Sequence, residues 1–317
     1  MESNFSPRPD APALIIGGSG VDIVGRLKGE LNEGTSNPAN IRTSFGGVAR
    51  NVAENLARLG QPVRLITAVG GDRIGEQLLN QVAETGVEIS GVLRTVQYPT
   101  GTYLAVVNPS GTLKFALDDI NATEALTPGY LSQYTNWFRE ASLVFVDANL
   151  PRDTLRMVFS LAGKAHLPVC ADPTSASLAT RLRPYLSRLR LITPNSTEAG
   201  ILCDQPFEST HRQRALDAAK CLVTGGVEIA LITLAELGVV YATSETSGHV
   251  PAVRTKIVDP TGAGDALTAT VIFALLNEIP LDDAVRLGVT AASLALRQRG
   301  TAVPDLSLEN LYNQLVI

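Results

Sequence analysis

Three small residues, Gly262, Ala263 and Gly264, stand directly before an acid in Asp259-Pro260-Thr261-Gly262-Ala263-Gly264-Asp265. Small residues leading into a helix leave backbone N–H groups uncovered. The helix N-terminus adds partial positive charge, so such a turn can hold an anion. Asp265 places a carboxylate where that anion would sit. A carboxylate beside a phosphate cradle suits a base that prepares a hydroxyl for phosphoryl transfer. The plain alternative is a helix cap. The turn follows the apolar run Lys256-Ile257-Val258 and leads into residues 266–276, which read as a buried helix.

Other polar residues fall where a fold could bring them to the same place. Asp22 follows the turn Gly17-Gly18-Ser19-Gly20, at the tip of the apolar run 13–16. A dinucleotide fingerprint would need a glycine at position 23, and Ile23 is there instead. Gly46-Gly47 lets a ligand approach the backbone closely. One turn into the helix that follows stands Asn51, at an unfavourable mid-helix position that needs a reason. Further on, Asp147, Asn149, Asp172, Thr193, Asn195, Glu198 and Thr233 end or follow apolar runs. The three histidines are isolated and carry no catalytic or metal pattern.

The elements that must position these residues alternate along the chain. Val48, Val52, Leu56 and Leu59 have helical spacing, closed by Gly60. Residues 63–70 read as a strand and 72–85 as a helix. From 143 onward, strands at 143–146, 168–171, 189–192 and 229–233 alternate with helices near 152–165, 177–187, 196–202 and 209–224. That rhythm implies a parallel sheet covered on both faces, with ligands at the carboxyl ends of the strands. A short β segment (238–242, 249–253) precedes the Asp259 turn, and helices near 282–298 and 307–315 close the chain. Two regions break the rhythm. Residues 100–107 and 112–117 alternate around Asn108-Pro109-Ser110-Gly111, a hairpin signal. Residues 21–45 are irregular and pair with that hairpin as one lid, so the expectation is a single domain over 1–317 with a lid from 21–45 and 99–120.

Composition bounds the rest. The chain has 317 residues, 45% hydrophobic and 18% charged, as in a soluble globular protein with a sizeable core. A net charge of −5 gives no basic footprint for nucleic acid or an anionic membrane surface. The three cysteines are odd in number, lack metal-ligand spacing and read as reduced thiols, which points to the cytoplasm. Residues 1–12 are polar and proline-rich, without the apolar core of a signal peptide, and no run of about 18 apolar residues suggests a membrane span.

Over nearly its whole length the chain resembles the ribokinase-like, PfkB-type carbohydrate kinases. The resemblance rests on Gly46-Gly47…Asn51…Gly60 and on the stretch from Asp259 to Asp265. Within the family it is most similar to the pseudouridine kinases, through Ser36-Asn37-Pro38, Phe45-Gly46-Gly47-Val48-Ala49-Arg50-Asn51, residues 116–122, Asp172-Pro173-Thr174-Ser175 and Thr193-Pro194-Asn195. Ribokinases proper carry a lysine where this chain has Val48 after the glycine pair, which argues against free ribose.

The resemblance implies a three-layer α/β/α fold and phosphorylation of the 5′-hydroxyl of pseudouridine by ATP. Another nucleoside or a sugar is the alternative acceptor, and a non-catalytic nucleotide-binding regulator the more distant one. It implies Asp265 as catalytic base and Gly262, Ala263 and Gly264 as the anion hole. Asp22, Gly46, Gly47 and Asn51 would hold the ribosyl hydroxyls. Thr102, Asp119 and Asn121 are the candidates for reading the base, and Tyr103 and Lys114 are read as packing and surface residues. Asn195, Thr233, Gly238 and Gly264 would line ATP. Glu198 and Asn195 would organise Mg²⁺ largely through water. Asp259 and the Thr261 backbone, with the segment near Gly300, would hold a monovalent cation such as K⁺. A helix N-terminus should keep Asp265 ionised and weakly basic. The lid would exclude water and serve as a homodimer surface. Two departures stand out. Ala235 replaces the first glycine of the nucleotide turn, where a positive φ would strain it, and Thr270 replaces a Gly or Ala.

Overall fold

The computed structural model describes residues 8–315, so residues 1–7 of the polar leading segment lie outside the described residues. The chain begins with β1 (Ala13–Ile16), β2 (Gly20–Leu27), β3 (Ala39–Gly46) and α1 (Val48–Arg58). There follow β4 (Val63–Ile66), β5 (Ala68–Gly70), α2 (Arg73–Glu84), β6 (Leu93–Thr95) and the hairpin of β7 (Gly101–Val107) and β8 (Leu113–Asp119). Two short helices, α3 (Pro128–Ser132) and α4 (Thr135–Glu140), lead to β9 (Leu143–Asp147), α5 (Arg152–Lys164), β10 (Val169–Asp172) and β11 (Leu191–Ile192). Then come α6 (Ser196–Leu202), α7 (Arg212–Thr224), β12 (Ile229–Thr233), β13 (Val239–Ala242) and β14 (Ser247–Val250). Helices α8 (Ala263–Leu276), α9 (Leu281–Leu296) and α10 (Leu308–Gln314) complete the described chain.

Eight strands form the central sheet in the order β14-β13-β12-β11-β10-β9-β1-β4. The pairs from β4 to β12 are parallel, and β13 and β14 add an antiparallel edge. Strand alternation divides the core. Ala13, Ile15, Leu143 and Phe145 pack with α1, α8 and α9, whereas Leu14, Ile16, Val144 and Val146 pack with α5 and α7 on the opposite face. Both faces are therefore covered, as an apolar parallel sheet requires. α8 is apolar on every side, and ten of its residues are buried.

The lid is a separate four-stranded sheet in the order β3-β2-β7-β8, built from the two segments expected to pair. Its hairpin closes through Asn108, whose N–H donates to the Thr112 carbonyl (2.9 Å) and whose side chain accepts from the Thr112 N–H (2.8 Å).

Two expectations change. The single strand over 63–70 is two strands in two sheets. Thr67, between them, is buried and donates its hydroxyl to the Gly17 carbonyl (2.7 Å). The helix near 177–187 is a 3-10 helix over Ala179–Arg188 with Pro184 inside it, where a proline removes an α-helical donor. Cys203 and Cys221, far apart in sequence, are neighbours where α6 meets α7, and both are free thiols. Among the described residues no helix is long and apolar enough to cross a membrane.

Candidate active site

The turn before α8 is built as its small residues suggest. Gly262 has φ +78°, and a Cβ there would lie 2.1 Å from the Thr301 carbonyl oxygen. No other residue fits without moving that segment. Gly264 faces open space, so the N–H groups at the start of α8 look into a cleft of about 520 Å³. Asn195, Thr233, Ala235 and Gly238 line the same cleft.

Asp265 stands at the inner end of that turn. Its Oδ2 accepts a hydrogen bond from Asn51 Nδ2 at 2.7 Å, so residues 214 apart in sequence meet. Its carboxyl is raised from 3.8 to about 7. Burial is the largest cause; the negative charges of Asp22 and Asp147 add to it, and the Asn51 hydrogen bond and Arg50 oppose it. This overturns the expectation of a weak base. A helix terminus contributes about 0.3–1 kcal/mol, which the loss of water around this half-buried carboxyl outweighs.

Asn51 is held from behind by a residue that the sequence reading passed over. Arg50 is 1% exposed. Its Nη1 reaches Asn51 Oδ1 (2.6 Å), Thr301 Oγ1 (2.7 Å) and the Phe45 carbonyl (3.1 Å), and its Nη2 pairs with Glu54 (2.5 Å). The signal was present as Arg50/Glu54 and Asn51/Asn55, two adjacent i,i+4 polar pairs within one helix.

The glycine pair before α1 is steric in origin. A Cβ at Gly46 would lie 2.2 Å from Asp22 Oδ2, and Gly47 has φ +96° with Ser19 and Gly18 backbone 2.5 Å from a modest side chain's position. Gly46 thus makes room for the Asp22 carboxylate. The N-terminus of α1 is capped from a distance. Asp147, fully buried, accepts from the N–H groups of Gly18 (2.8 Å), Ala49 (3.0 Å) and Asn149 (3.0 Å). Burial raises its carboxyl, and those hydrogen bonds oppose the rise. Asp22 is raised to about 6, by burial first, with Arg50 opposing and Asp259 adding.

The lid register decides which side chains accompany Asp22. Ser44, Asp22, Tyr103 and Asp118 lie side by side across its four strands and so share a face. Burial raises the Tyr103 hydroxyl, and the charges of Asp22 and Asp118 add to the effect, which places the three together. Thr102 pairs with Val21 on one side and with Asp119 on the other, and the three lie on the other face; Asp119 Oδ1 accepts from Asn121 Nδ2 (2.7 Å). Thr102 and Asp119 therefore do not share the face of Asp22, and Tyr103, read as packing, does; Asn121 lies past the end of β8.

At the nucleotide end, Asn195 and Glu198 form a reciprocal capping box at α6. Asn195 Oδ1 accepts from the Glu198 N–H (3.0 Å), and Glu198 Oε2 accepts from the Asn195 N–H (2.9 Å). Asn195 also bridges to Thr233. Burial raises the Glu198 carboxyl. It raises that of Asp172 far more, with Glu198 and then Asp265 adding negative charge. Thr268 of α8 donates to Thr193 Oγ1 (3.0 Å). Thr270 is fully buried, and its hydroxyl has no partner among the described residues. Gly238 has φ +91°, with Val250 carbonyl 2.2 Å from a Cβ position, and Ala235 does adopt positive φ, +49°. Asp259 Oδ1 accepts from the N–H (3.1 Å) and hydroxyl (2.8 Å) of Thr261, and its Oδ2 faces Arg42 of the lid at 3.6 Å.

Among the described residues no group of three or more His, Cys, Asp or Glu could enclose a metal ion. The buried Glu198 carboxylate and the Asn195 amide beside an open cleft still fit Mg²⁺, which keeps most of its waters and leans on phosphate oxygens.

Known proteins match this arrangement. The family described as pfkB family carbohydrate kinase covers residues 14–307. The chain is 31% identical over 299 residues to a pseudouridine kinase of Escherichia coli (strain K12), covering 94% of each chain. It is 30% identical to a guanosine-inosine kinase of Exiguobacterium acetylicum, over 92% of this chain and 97% of that one. In structure it is similar to an Arabidopsis thaliana ribokinase complexed with ribose and ATP, with a TM-score of 0.84, 22% identity, and coverage of 97% and 99%. The fold is ribokinase-like, and the chain belongs to the pfkB family of carbohydrate kinases, phosphotransferases that act on an alcohol group.

Proposed function

We propose that the protein uses ATP to phosphorylate the 5′-hydroxyl of pseudouridine. The observation that carries the reading is the Asn51–Asp265 hydrogen bond at the open N-terminus of α8, beside the cleft. The similarity to the Escherichia coli pseudouridine kinase supports the acceptor.

The acceptor's ribosyl hydroxyls meet Asp22, Asn51 and the Gly46-Gly47 backbone, and its 5′-oxygen faces Asp265. ATP lies in the cleft past Thr233 and Gly238, with its γ-phosphoryl on the N–H groups of Gly262, Ala263 and Gly264. The 5′-oxygen forms a bond to γ-phosphorus as the β,γ-bridging bond breaks. The hydroxyl proton passes to Asp265, and ADP leaves. Such a transfer depends on positioning and charge neutralisation more than on base strength. Mg²⁺, when bound near Glu198 and Asn195, neutralises phosphate charge. A monovalent cation, when bound at Asp259 and Thr261, would share that carboxylate with Arg42. The base lies against the lid face of Tyr103 and Asp118. Pseudouridine presents ring N–H donors that a carboxylate accepts.

The lid shields the reacting phosphoryl from water. Its outer face exposes Ile41, Phe115 and Leu117, which suits a second copy of this chain.

The test is an ATP-consumption screen of the purified protein against pseudouridine, uridine, guanosine, inosine, ribose and fructose. The expected outcome is turnover on pseudouridine at least tenfold above the others. Preference for guanosine or inosine would install the second reading, which the guanosine-inosine kinase relative favours. Absence of phosphorylated product from every acceptor would sink the kinase assignment.

A further inference from the structure

Arg50 is buried in the helix that carries Asn51, touches no open space, and has no role in the reaction as described above. A buried guanidinium is costly unless its donors are matched. Here the matching is specific at the two terminal nitrogens, while Nε has no hydrogen-bond partner among the described residues. One nitrogen, Nη1, meets Asn51 Oδ1, Thr301 Oγ1 and the Phe45 carbonyl, while Nη2 is neutralised by Glu54. Thr301 also donates to the Phe45 carbonyl (2.6 Å).

We propose that Arg50 is a positioning residue for phosphoryl transfer: it fixes the Asn51 amide so that the base Asp265 is held, and it braces the anion-hole turn through Thr301. Arginine has donors only, so the amide face toward it must be the oxygen. The Asn51 nitrogen then has a single direction left, toward Asp265 Oδ2. Among the described residues Oδ1 of Asp265 accepts no hydrogen bond, which leaves it to a substrate hydroxyl. The other arm acts through backbone: the Thr301 carbonyl abuts Gly262, with no room for a Cβ between them. One side chain thus spans the sugar site, the base and the anion hole. Its charge also opposes the rise in both Asp22 and Asp265.

The charged groups around this unit are few. Asp265 faces Asp22, Asp147, Asp172 and Arg50. Arg50 faces Glu54, Asp22, Asp265 and, more weakly, Arg58. Glu54 lies one turn beyond Asn51, so removing Arg50 and Glu54 together takes the nearer charge, the positive one, from Asp265.

The inference rests on Asp265 as base, so Asp265→Asn is measured alongside. Arg50→Lys keeps the buried charge and loses the fork. It should lower kcat about tenfold, leave the KM for ATP unchanged, and keep the acid limb of the kcat/KM profile in place. Arg50→Met/Glu54→Gln removes the buried pair, and Arg58, the other partner of Glu54, is 26% exposed and can turn to water. Its acid limb should move up by about one pH unit, the low end for a nearby opposite charge. A merely structural Arg50 would lower the active fraction and the melting temperature and leave the limb where it was. Wild-type kcat in Arg50→Lys overturns the proposal, as does an unmoved limb in folded Arg50→Met/Glu54→Gln. If the double variant does not fold, Arg50→Lys alone decides through kcat. Near-normal turnover in Asp265→Asn overturns the base assignment and this inference together. An inactive Asp265→Asn with both Arg50 variants like wild type overturns this inference alone.

Discussion

Asp265→Asn keeps the shape of the side chain and removes its charge and basicity. Asn51 can still donate, because the new amide can turn its oxygen to Nδ2. Two effects follow with opposite signs. Turnover should fall about 10²–10⁴-fold, the usual size of a general-base contribution, with the KM for ATP little changed. Stability should rise. The wild-type carboxyl goes from 3.8 to about 7 on folding, chiefly through burial. A raised carboxyl binds its proton more tightly folded than unfolded. Its folding penalty is therefore absent below pH 4, grows as pH rises from 4 to 7, and is complete above 7. At about 1.36 kcal/mol per pH unit the upper value is about 4 kcal/mol. Relaxation and water in the cleft reduce it to roughly 1–3 kcal/mol, the range that mutational data give for an unfavourably buried polar group. Paired denaturant melts of both proteins at pH 5 and pH 8.5 read the difference. The variant should gain at pH 8.5 and approach wild type at pH 5. The kcat/KM profile of wild type should bend downward below about pH 7. Equal stability at both pH values, or a profile flat down to pH 5, would refute the burial argument. Turnover near wild type would refute the base assignment.

Three further outcomes are expected. Asp118→Asn should lower kcat/KM for pseudouridine about tenfold and leave stability unchanged, because Asp118 is exposed on the face of Asp22; an equal loss with Asp119→Asn and none with Asp118→Asn would reverse the face assignment. Ala235→Gly should stabilise the protein by about 1 kcal/mol, since a non-glycine residue at φ +49° costs about that much, and a lowered melting temperature would contradict it. Ile41→Glu/Leu117→Lys places charges on lid side chains that are 71% and 62% exposed; light scattering should find the wild type dimeric and the variant monomeric, and a monomeric wild type removes the lid as a dimer surface.

Much of the site was legible because its glycines answer steric demands. Gly262 and Gly47 sit at positive φ against backbone, and Gly46 faces a carboxylate, so the glycine spacing carries the geometry. The lid hairpin was legible for the same reason, through its Asn-Pro-Ser-Gly turn. Arg50 was not, because a charged residue in an amphipathic helix ordinarily marks the wet face, and only the packing of α1 against α8 and Thr301 buries it. The face of Tyr103 was hidden because alternation fixes which residues share a face and not which face turns inward; the register with Asp22 supplies that. The strength of Asp265 as a base was misjudged because the helix terminus is visible in sequence and the depth of burial is not.

The distribution of charge explains why one small region needs both a cradle and cations. Asp22, Asp147, Asp172, Glu198 and Asp265 converge on it, and burial raises all five. Arg50 is the buried cation set against them among the described residues, and Glu54 already neutralises one of its nitrogens. A triphosphate entering this field meets repulsion from the acids and attraction from the N–H groups of α8. Divalent charge near Glu198 removes the first and leaves the second, so phosphate binding and carboxylate ionisation become linked. The same linkage works on the base. Neutralising Glu198 lets Asp172 ionise at lower pH, and an ionised Asp172 adds negative charge beside Asp265. Filling the nucleotide end should then raise the pH at which Asp265 ionises. The acid limb of kcat, measured with both substrates saturating, should therefore lie above that of kcat/KM, and coincidence of the two limbs would separate the nucleotide end from the base.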